Sequence, residues 1–294
     1  MQKKYNQSRA GVIFDVFNYI FLILLAVVCV LPMVHLFAIS LSSKTAITAG
    51  AVGIFPVDAS LEAYANLLKE SEFFRAGLIS VERTVLGVAI NMLLTILAAY
   101  PLSKSTATFR ARQKYVWFFL ISMLFTGGMI PTYLIVRYTG LIDTIWSLIL
   151  PTAVPVFSVI LLQNYFKGLP GELSESAQID GASHWRILFQ LYLPLSKPVL
   201  AVLVLFSAFN HWNSWVDGML YINDTTKYPL QTYLQTIVVD VDPTRINSLR
   251  DIGELCQENS NAAQVFLSII PILLIYPFLQ KHFANGIVLG AVKG

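Results

Sequence analysis

Long apolar stretches separated by short polar ones set the organisation of this chain. Six of them, at about 12–40, 80–102, 115–136, 142–165, 197–220 and 262–283, are long enough to cross a membrane, for which a helix needs about 20 mostly apolar residues. Each is expected to be helical, because lipid offers no partners for free backbone groups. Pro32, Pro131, Pro155 and Pro271 lie in or at the edges of these segments and predict kinks or short breaks. The second segment is the least uniform, since Glu82 and Arg83 at its start mark the water interface. The first follows Lys3, Lys4 and Arg9 and superficially resembles a signal peptide. It continues to about Ile39 with no small-residue cleavage site after a short core, and is read as a retained span.

Composition agrees with that pattern. The chain is 56% hydrophobic and only 13% charged, against about 25% charged in soluble domains. The fold class is therefore all-α integral membrane, with six transmembrane helices in one domain over 1–294 and lipid as a partner. A net charge of +3 without a long basic run excludes nucleic acid. Cys29 and Cys256 read as ordinary free thiols, and no Cys/His cluster has metal-ligand spacing. No nucleophile–base pair or paired acidic motif lies at membrane depth, so the chain is not expected to be an enzyme. It has no G-x-x-x-x-G-K-[ST] phosphate loop, and no cofactor is expected on it.

Orientation follows from Lys and Arg. With the N-terminus in the cytoplasm, the inner segments hold 12 of the 20 basic residues and only Asp15, Glu172, Glu175 and Asp180 of the 17 acids. Lys/Arg bias is the orienting signal, and it predicts cytoplasmic N- and C-termini. Loops at about 43–79 and 221–261 then face outward, the second with Asp240, Asp242, Asp251, Glu254 and Glu258.

The same assignment puts a polar interruption, 168–196, on the cytoplasmic side. Gly168-Leu169-Pro170-Gly171 ends the fourth span. Ser174 is a candidate N-cap, with Glu175 near the positive end of the helix dipole. The helix Glu175–Asp180 is expected to stop at Gly181, which tolerates positive φ. Trp185, Leu188, Phe189 and Tyr192 follow at helical spacing, and Pro194 and Pro198 break the chain into the fifth span. On pattern alone this is either an interfacial helix-turn-helix with no partner, or a short helix braced to fit a cleft in another protein.

The fifth span carries a polar stripe of Ser207, Asn210, His211, Ser214 and Asp217, beside Trp212, Trp215 and Met219. One reading is a solute path, with polar groups bonded by Asn and Ser and a ring face stacked on Trp. The other is interhelical glue with an outer aromatic belt. Asn91 and Gln163-Asn164 have the same two readings, with packing favoured. Tyr133 is a candidate for the outer mouth, and His35 and His184 receive no role.

The block Glu175-Ser176-Ala177-Gln178-Ile179-Asp180-Gly181, continued to Leu191-Tyr192-Leu193-Pro194, resembles the coupling loop of permease subunits in ATP-binding-cassette (ABC) importers. Ser176 departs from the family, which usually has Ala there. Ala99-Tyr100-Pro101-Leu102-Ser103-Lys104, Gly127 to Tyr133, Gly140 to Thr144, Trp212-Asn213-Ser214-Trp215, Tyr221-Ile222-Asn223-Asp224 and Tyr228-Pro229-Leu230-Gln231 extend the likeness over nearly the whole chain. Together they resemble the oligosaccharide/polysaccharide-type branch, similar to the smaller maltose-importer permease.

The resemblance implies a type I ABC importer permease fold with a cytoplasmic coupling helix, in the cell membrane. It implies a second homologous permease, two ATPase subunits that use the ATP, and an extracytoplasmic sugar-binding protein that contacts the 221–261 loop. Glu175, Ala177, Asp180 and Gly181 would couple to an ATPase, with Glu175 the polar anchor and Gly181 the hinge. The translocation path would involve Ser207, Asn210, His211, Ser214, Trp212 and Trp215. A permease for a non-sugar solute is the alternative. A secondary transporter would need a coupling carboxylate well inside the membrane, and Asp217 and Glu82 are read as near span ends.

Overall fold

A computed structural model describes residues 9–239 and 259–274, and all the elements described are helical. The chain divides into two compact units, one comprising the first 71 residues with 237–269, the other 72–236 with the residues from 270 onward.

In the first unit, α1 (Arg9–Ser40) is apolar on every side, and side chains such as Ile13 and Phe17 are about two-thirds exposed. An all-round apolar helix suits lipid or a neighbouring subunit, not water. Polar groups organise its end. Ser42 donates to the Ala38 carbonyl at 2.7 Å and accepts from the Val57 N–H at 3.1 Å. Ser43 caps α2 (Lys44–Thr48) by accepting from the Ala46 N–H. Ser40 meets the Tyr64 hydroxyl of α3 (Glu62–Leu67) at 2.7 Å. His35, assigned no role from sequence, lies 2.7 Å from the Gly53 carbonyl. Residues 259–269 of the helix Asn259–Leu274 belong to the same unit, where the Phe266 ring centroid is 4.7 Å from that of Phe37. Positions 275–283 of the expected sixth span lie outside the described residues. So do the five loop acids, Cys256 and the C-terminal segment.

The second unit is built on α4 (Ser71–Ser103). Its buried face runs Phe73, Ala76, Ser80, Arg83, Gly87, Asn91, Thr95 and Ala99, at three- and four-residue steps. Small and polar residues on such a seam let helices approach closely in lipid, where apolar burial gives no association energy. This helix starts earlier than the expected span, and that changes Arg83. It does not mark a water interface: it is 1% exposed, inside the bundle. Glu82, one residue earlier, points the other way and is exposed.

The third expected span is two helices, α5 (Arg112–Leu124) and α6 (Met129–Tyr138), bent by 112° where Gly127-Gly128 interrupt them. Pro131 sits in the first turn of α6, where its missing N–H costs no bond. The fourth is α7 (Ile145–Ile149), a 3-10 turn, and α8 (Val156–Lys167), bent by 47° ahead of Pro155. Next come α9 (Gly171–Ile179), α10 (His184–Ile187), a π turn over Leu188–Tyr192 and α11 (Leu193–Leu195). An 83° bend at Ser196 leads into α12 (Lys197–Asn213). The fifth expected span breaks at Ser214-Trp215, and α13 (Val216–Tyr221) and α14 (Leu230–Val239) follow.

Two apolar clusters hold this unit. One packs Ala99 and Tyr100 of α4, Val159, Leu162 and Phe166 of α8, Leu203 of α12, and Ile187, Leu188 and Tyr192 of the polar insertion. Its rings meet edge-on, with Tyr100–Tyr192 centroids at 5.2 Å and Phe166–Tyr192 at 5.3 Å. The other packs Val136, Leu148, Tyr221 and Ile222.

Candidate functional site

The break after α12 opens a polar cavity of about 570 Å³. Asn210, His211, Asn213, Ser214 and Asp217 line one side, Arg83 and Asn91 of α4 another, and Thr152, Val154 and Pro155 the third. Its charged members neutralise each other. The Arg83 guanidinium forms a two-pronged ion pair with Asp217 and also donates to the Ser214 carbonyl at 3.0 Å and the Leu148 carbonyl at 3.4 Å. Asp217 accepts in addition from the Ser214 hydroxyl at 2.8 Å and the Gly218 N–H at 2.9 Å. One side chain thereby ties α4 to the end of α7 and to both sides of the break in the fifth segment. A buried guanidinium requires such a partner.

Beside it, Asn91 forms a second polar knot. In the orientation that satisfies every partner, its carbonyl accepts from the Ser207 hydroxyl at 3.0 Å and from His211 Nε2 at 3.2 Å, and its amide donates to the Gly87 and Ala153 carbonyls. His211 therefore carries its proton on Nε2. Gly87 makes room for that ring: a Cβ there would lie 2.4 Å from His211 Nε2. Gly87→Ala should push His211 off Asn91 at a cost of about 1–3 kcal/mol, read as a lower detergent-solubilised melting temperature. An unchanged melting temperature would mean that the ring is not packed this way.

The sequence-derived path residues divide in three dimensions. Asn210, His211 and Ser214 face the cavity, Ser207 lies behind it on Asn91, and neither Trp212 nor Trp215 is among its lining residues. Asn164 is exposed on α8, whereas Gln163 is buried. Tyr133 stacks on Tyr221, centroids 6.3 Å apart, away from the cavity. Arg83 is the residue that sequence reading missed. Its place in the α4 seam, three after Ser80 and four before Gly87, was the available signal.

The polar insertion holds the other group of residues singled out from the sequence. Its first helix begins at Gly171, so Ser174 is not its N-cap but a buried residue inside α9. Pro170 precedes it, and a proline just ahead of the first turn wastes no N–H. The end of α9 is a Schellman motif: Gly181, at φ +76°, donates to the Gln178 carbonyl at 3.0 Å, and Ala182 donates to the Ala177 carbonyl at 2.9 Å. Ala177 and Ala182 pack on the apolar cluster of the second unit. Glu175, Asp180 and Gly181 face outward, beside Ile179, which is 87% exposed.

Ser183, not predicted as a cap, accepts from the Arg186 N–H and starts α10. The π turn that follows adds a residue to the register, so Trp185, Leu188, Phe189 and Tyr192 do not share one face. Leu188 and Tyr192 are buried with Ile187, whereas Trp185 and Phe189 stack on each other in the open at 6.2 Å.

At the opposite end, Asp143 closes a clasp. Its backbone is left-handed at φ +64°, and its N–H donates to the Tyr221 carbonyl at 2.8 Å. Its carboxylate accepts from the Asn223 and Asp224 N–H groups, each at 3.1 Å, and pairs with Lys227 at 2.9 Å. The Lys227 ammonium first, and the Asp224 amide second, hold its carboxyl below the usual carboxylate range. A lowered value means that the clasp is complete above the ordinary pKa of about 3.9 and is lost only as pH falls through the lower folded value. Hydrogen exchange at Asn223 and Asp224 should therefore show no loss of protection between about pH 7 and pH 5. Asp143→Ala should remove that protection at every pH; equal protection in the variant would show that the carboxylate does not hold the turn.

Among curated proteins, the chain is 39% identical over 285 residues to the polygalacturonan/rhamnogalacturonan transport system permease protein YtcP of Bacillus subtilis, covering 96% of this chain and 99% of the relative. It is 40% identical over 290 residues to protein LplC of the same organism, covering 98% of each. A solved bacterial ABC transporter that imports the acidic polysaccharide alginate matches it with a TM-score of 0.86 and 32% identity, over 96% of this chain and 100% of that one. No protein-family model matches the chain.

Proposed function

The chain belongs to the permease subunits of carbohydrate ABC importers, and from that premise we propose that α9 is its coupling helix and the Arg83/Asp217 cavity its share of the sugar path. As a member of that family it is a membrane transport subunit, not an enzyme, and it moves a saccharide without changing it covalently.

The observation that carries the reading is the construction of the insertion. Glu175, Asp180 and Gly181 are exposed, while Ala177 and, just past the helix end, Ala182 rest on a cluster shared with α4, α8 and α12. A push on the exposed side is thereby transmitted to three membrane helices at once. Two ATPase subunits would supply that push, a second permease would complete the path, and an extracytoplasmic binding protein would deliver the sugar. The six-span count and the cytoplasmic position of both termini belong to the same proposal, supported by the basic residues of the inner segments.

For the cargo, we take an oligosaccharide of an acidic polysaccharide, by likeness to the alginate importer. Amide and hydroxyl groups of Asn210, Asn213 and Ser214 suit sugar hydroxyls, and they border the one guanidinium of the cavity. Uptake into proteoliposomes tests the reading. The complete importer should accumulate saccharide only with ATP inside, and this chain alone should neither hydrolyse ATP nor transport. Uptake by the chain alone, driven by an ion gradient, would replace the proposal with a secondary carrier.

A further inference from the structure

A second cavity, of about 350 Å³, lies between the end of α4 and α10. Leu97, Pro101, Phe109 and Leu188 form apolar walls, and Lys104 and His184 stand among them. Lys104 is an unusual cation. Its ammonium sits 4.3 Å from the centroids of both the Tyr100 and Tyr192 rings and donates to the Tyr192 hydroxyl at 3.1 Å. Among the described residues no carboxylate pairs with it. An ammonium has three donors, so this one is held in place by aromatic faces with capacity left for an anion.

The surroundings select the kind of anion. From Lys104 to Arg112 the chain carries three basic residues and no acid. Directly beyond, α5 turns Trp117, Phe118 and Ile121 outward, each more than half exposed. Leu97 and Trp185, on the cavity rim, are exposed as well. A soluble phosphate would gain nothing from these walls. A molecule with a charged head and an apolar tail uses both, and basic pockets between membrane helices on the cytoplasmic side are where anionic headgroups bind.

We propose that this cavity holds an anionic phospholipid, its phosphate on Lys104 and an acyl chain along Leu97 and Pro101. The assignment to the cytoplasmic leaflet rests on the orientation proposed above. Because Tyr192 and Leu188 also belong to the cluster that carries α9, the bound lipid would brace the insertion against the end of α4.

Native mass spectrometry of the full-length chain in detergent, with phosphatidylglycerol or phosphatidylcholine added, tests this. Wild type should retain phosphatidylglycerol preferentially. Lys104→Gln should cut that preference about fivefold, Lys104→Arg should keep it, and Lys114→Gln, an exposed cation outside the cavity, should leave it intact. Leu97→Trp, which fills the wall, should lower retention of both lipids. Preference unchanged in Lys104→Gln, or lost equally in Lys114→Gln, would overturn the site. So would displacement of the lipid by inorganic phosphate, which would show a soluble-anion site instead. A single cysteine at Ser105, in a background lacking Cys29 and Cys256, reports orientation independently. Labelling by an impermeant reagent only after permeabilisation supports the cytoplasmic leaflet, and labelling of intact cells overturns the leaflet while the lipid measurement stands.

Discussion

Arg83→Met should be among the most damaging single changes in the chain. It leaves Asp217 half-enclosed with its main partner gone, and it frees the Ser214 and Leu148 carbonyls that the guanidinium tied together. Breaking a buried pair by removing one partner costs about 3–5 kcal/mol. The lower end is expected here, because Asp217 keeps 19% exposure toward the cavity. The cost should appear as poor accumulation in the membrane and a lower melting temperature. Replacing both residues, as Arg83→Met with Asp217→Leu, should recover much of the folded protein, since no charge is then stranded. It should not recover uptake, because the break at Ser214 loses the group that positions it. Recovery of transport by the double variant would show that the pair serves folding alone.

The second large effect is expected at Gly181, and there the choice of substitution matters. A Cβ at this position meets nothing within 4 Å inside the chain, so space is not the internal constraint; the φ of +76° is. Most side chains in a left-handed conformation cost about 1–2 kcal/mol, but Asn adopts it readily. Gly181→Asn should therefore keep the Schellman turn and the fold while adding bulk on the side where an ATPase would dock. In the assembled importer, uptake per ATP hydrolysed should fall by about 5–150-fold, the usual range of coupling between sites, with membrane insertion unchanged. Wild-type uptake in Gly181→Asn would remove Gly181 from the coupling surface and leave it as a turn residue only.

These two residues also show how far the sequence could be read. The turn at Gly181 was legible because its signals are local: a helix end needs a residue tolerant of positive φ, and only nearby positions decide it. The start of α9 was misplaced for the same reason. Ser174 is a good cap in isolation, but Pro170 and the breaker cluster before it had already opened the helix. The face of the following helix was misjudged because a π turn at Leu188–Tyr192 shifts the register, and 3.6-residue periodicity assumes no such insertion.

Arg83 was missed because its meaning is not local. Its partners lie in α7, at the break after α12 and in α13, between 65 and 134 residues away. Reading Asp217 as near a span end hid the pair, since the fifth helix breaks at Ser214 and folds that carboxylate back onto the bundle. Asp143 is a similar case: Gly140 to Thr144 and Tyr221 to Asp224 were each noted as fragments of a resemblance, but only the fold joins them. The family, by contrast, was visible early, because the spacing from Glu175 to Pro194 depends on chain order alone.

Coupling through α9 requires that its exposed residues meet an ATPase subunit. A photo-crosslinking amino acid at Glu175, in the complete importer, examines that contact directly. Irradiation should join this chain to the ATPase subunit, with a yield that changes when nucleotide is added; a control at the neighbouring Ser174, which is buried, should give no such product. An importer that hydrolyses ATP and transports saccharide, yet gives no crosslink from position 175 in any nucleotide state, would contradict the account.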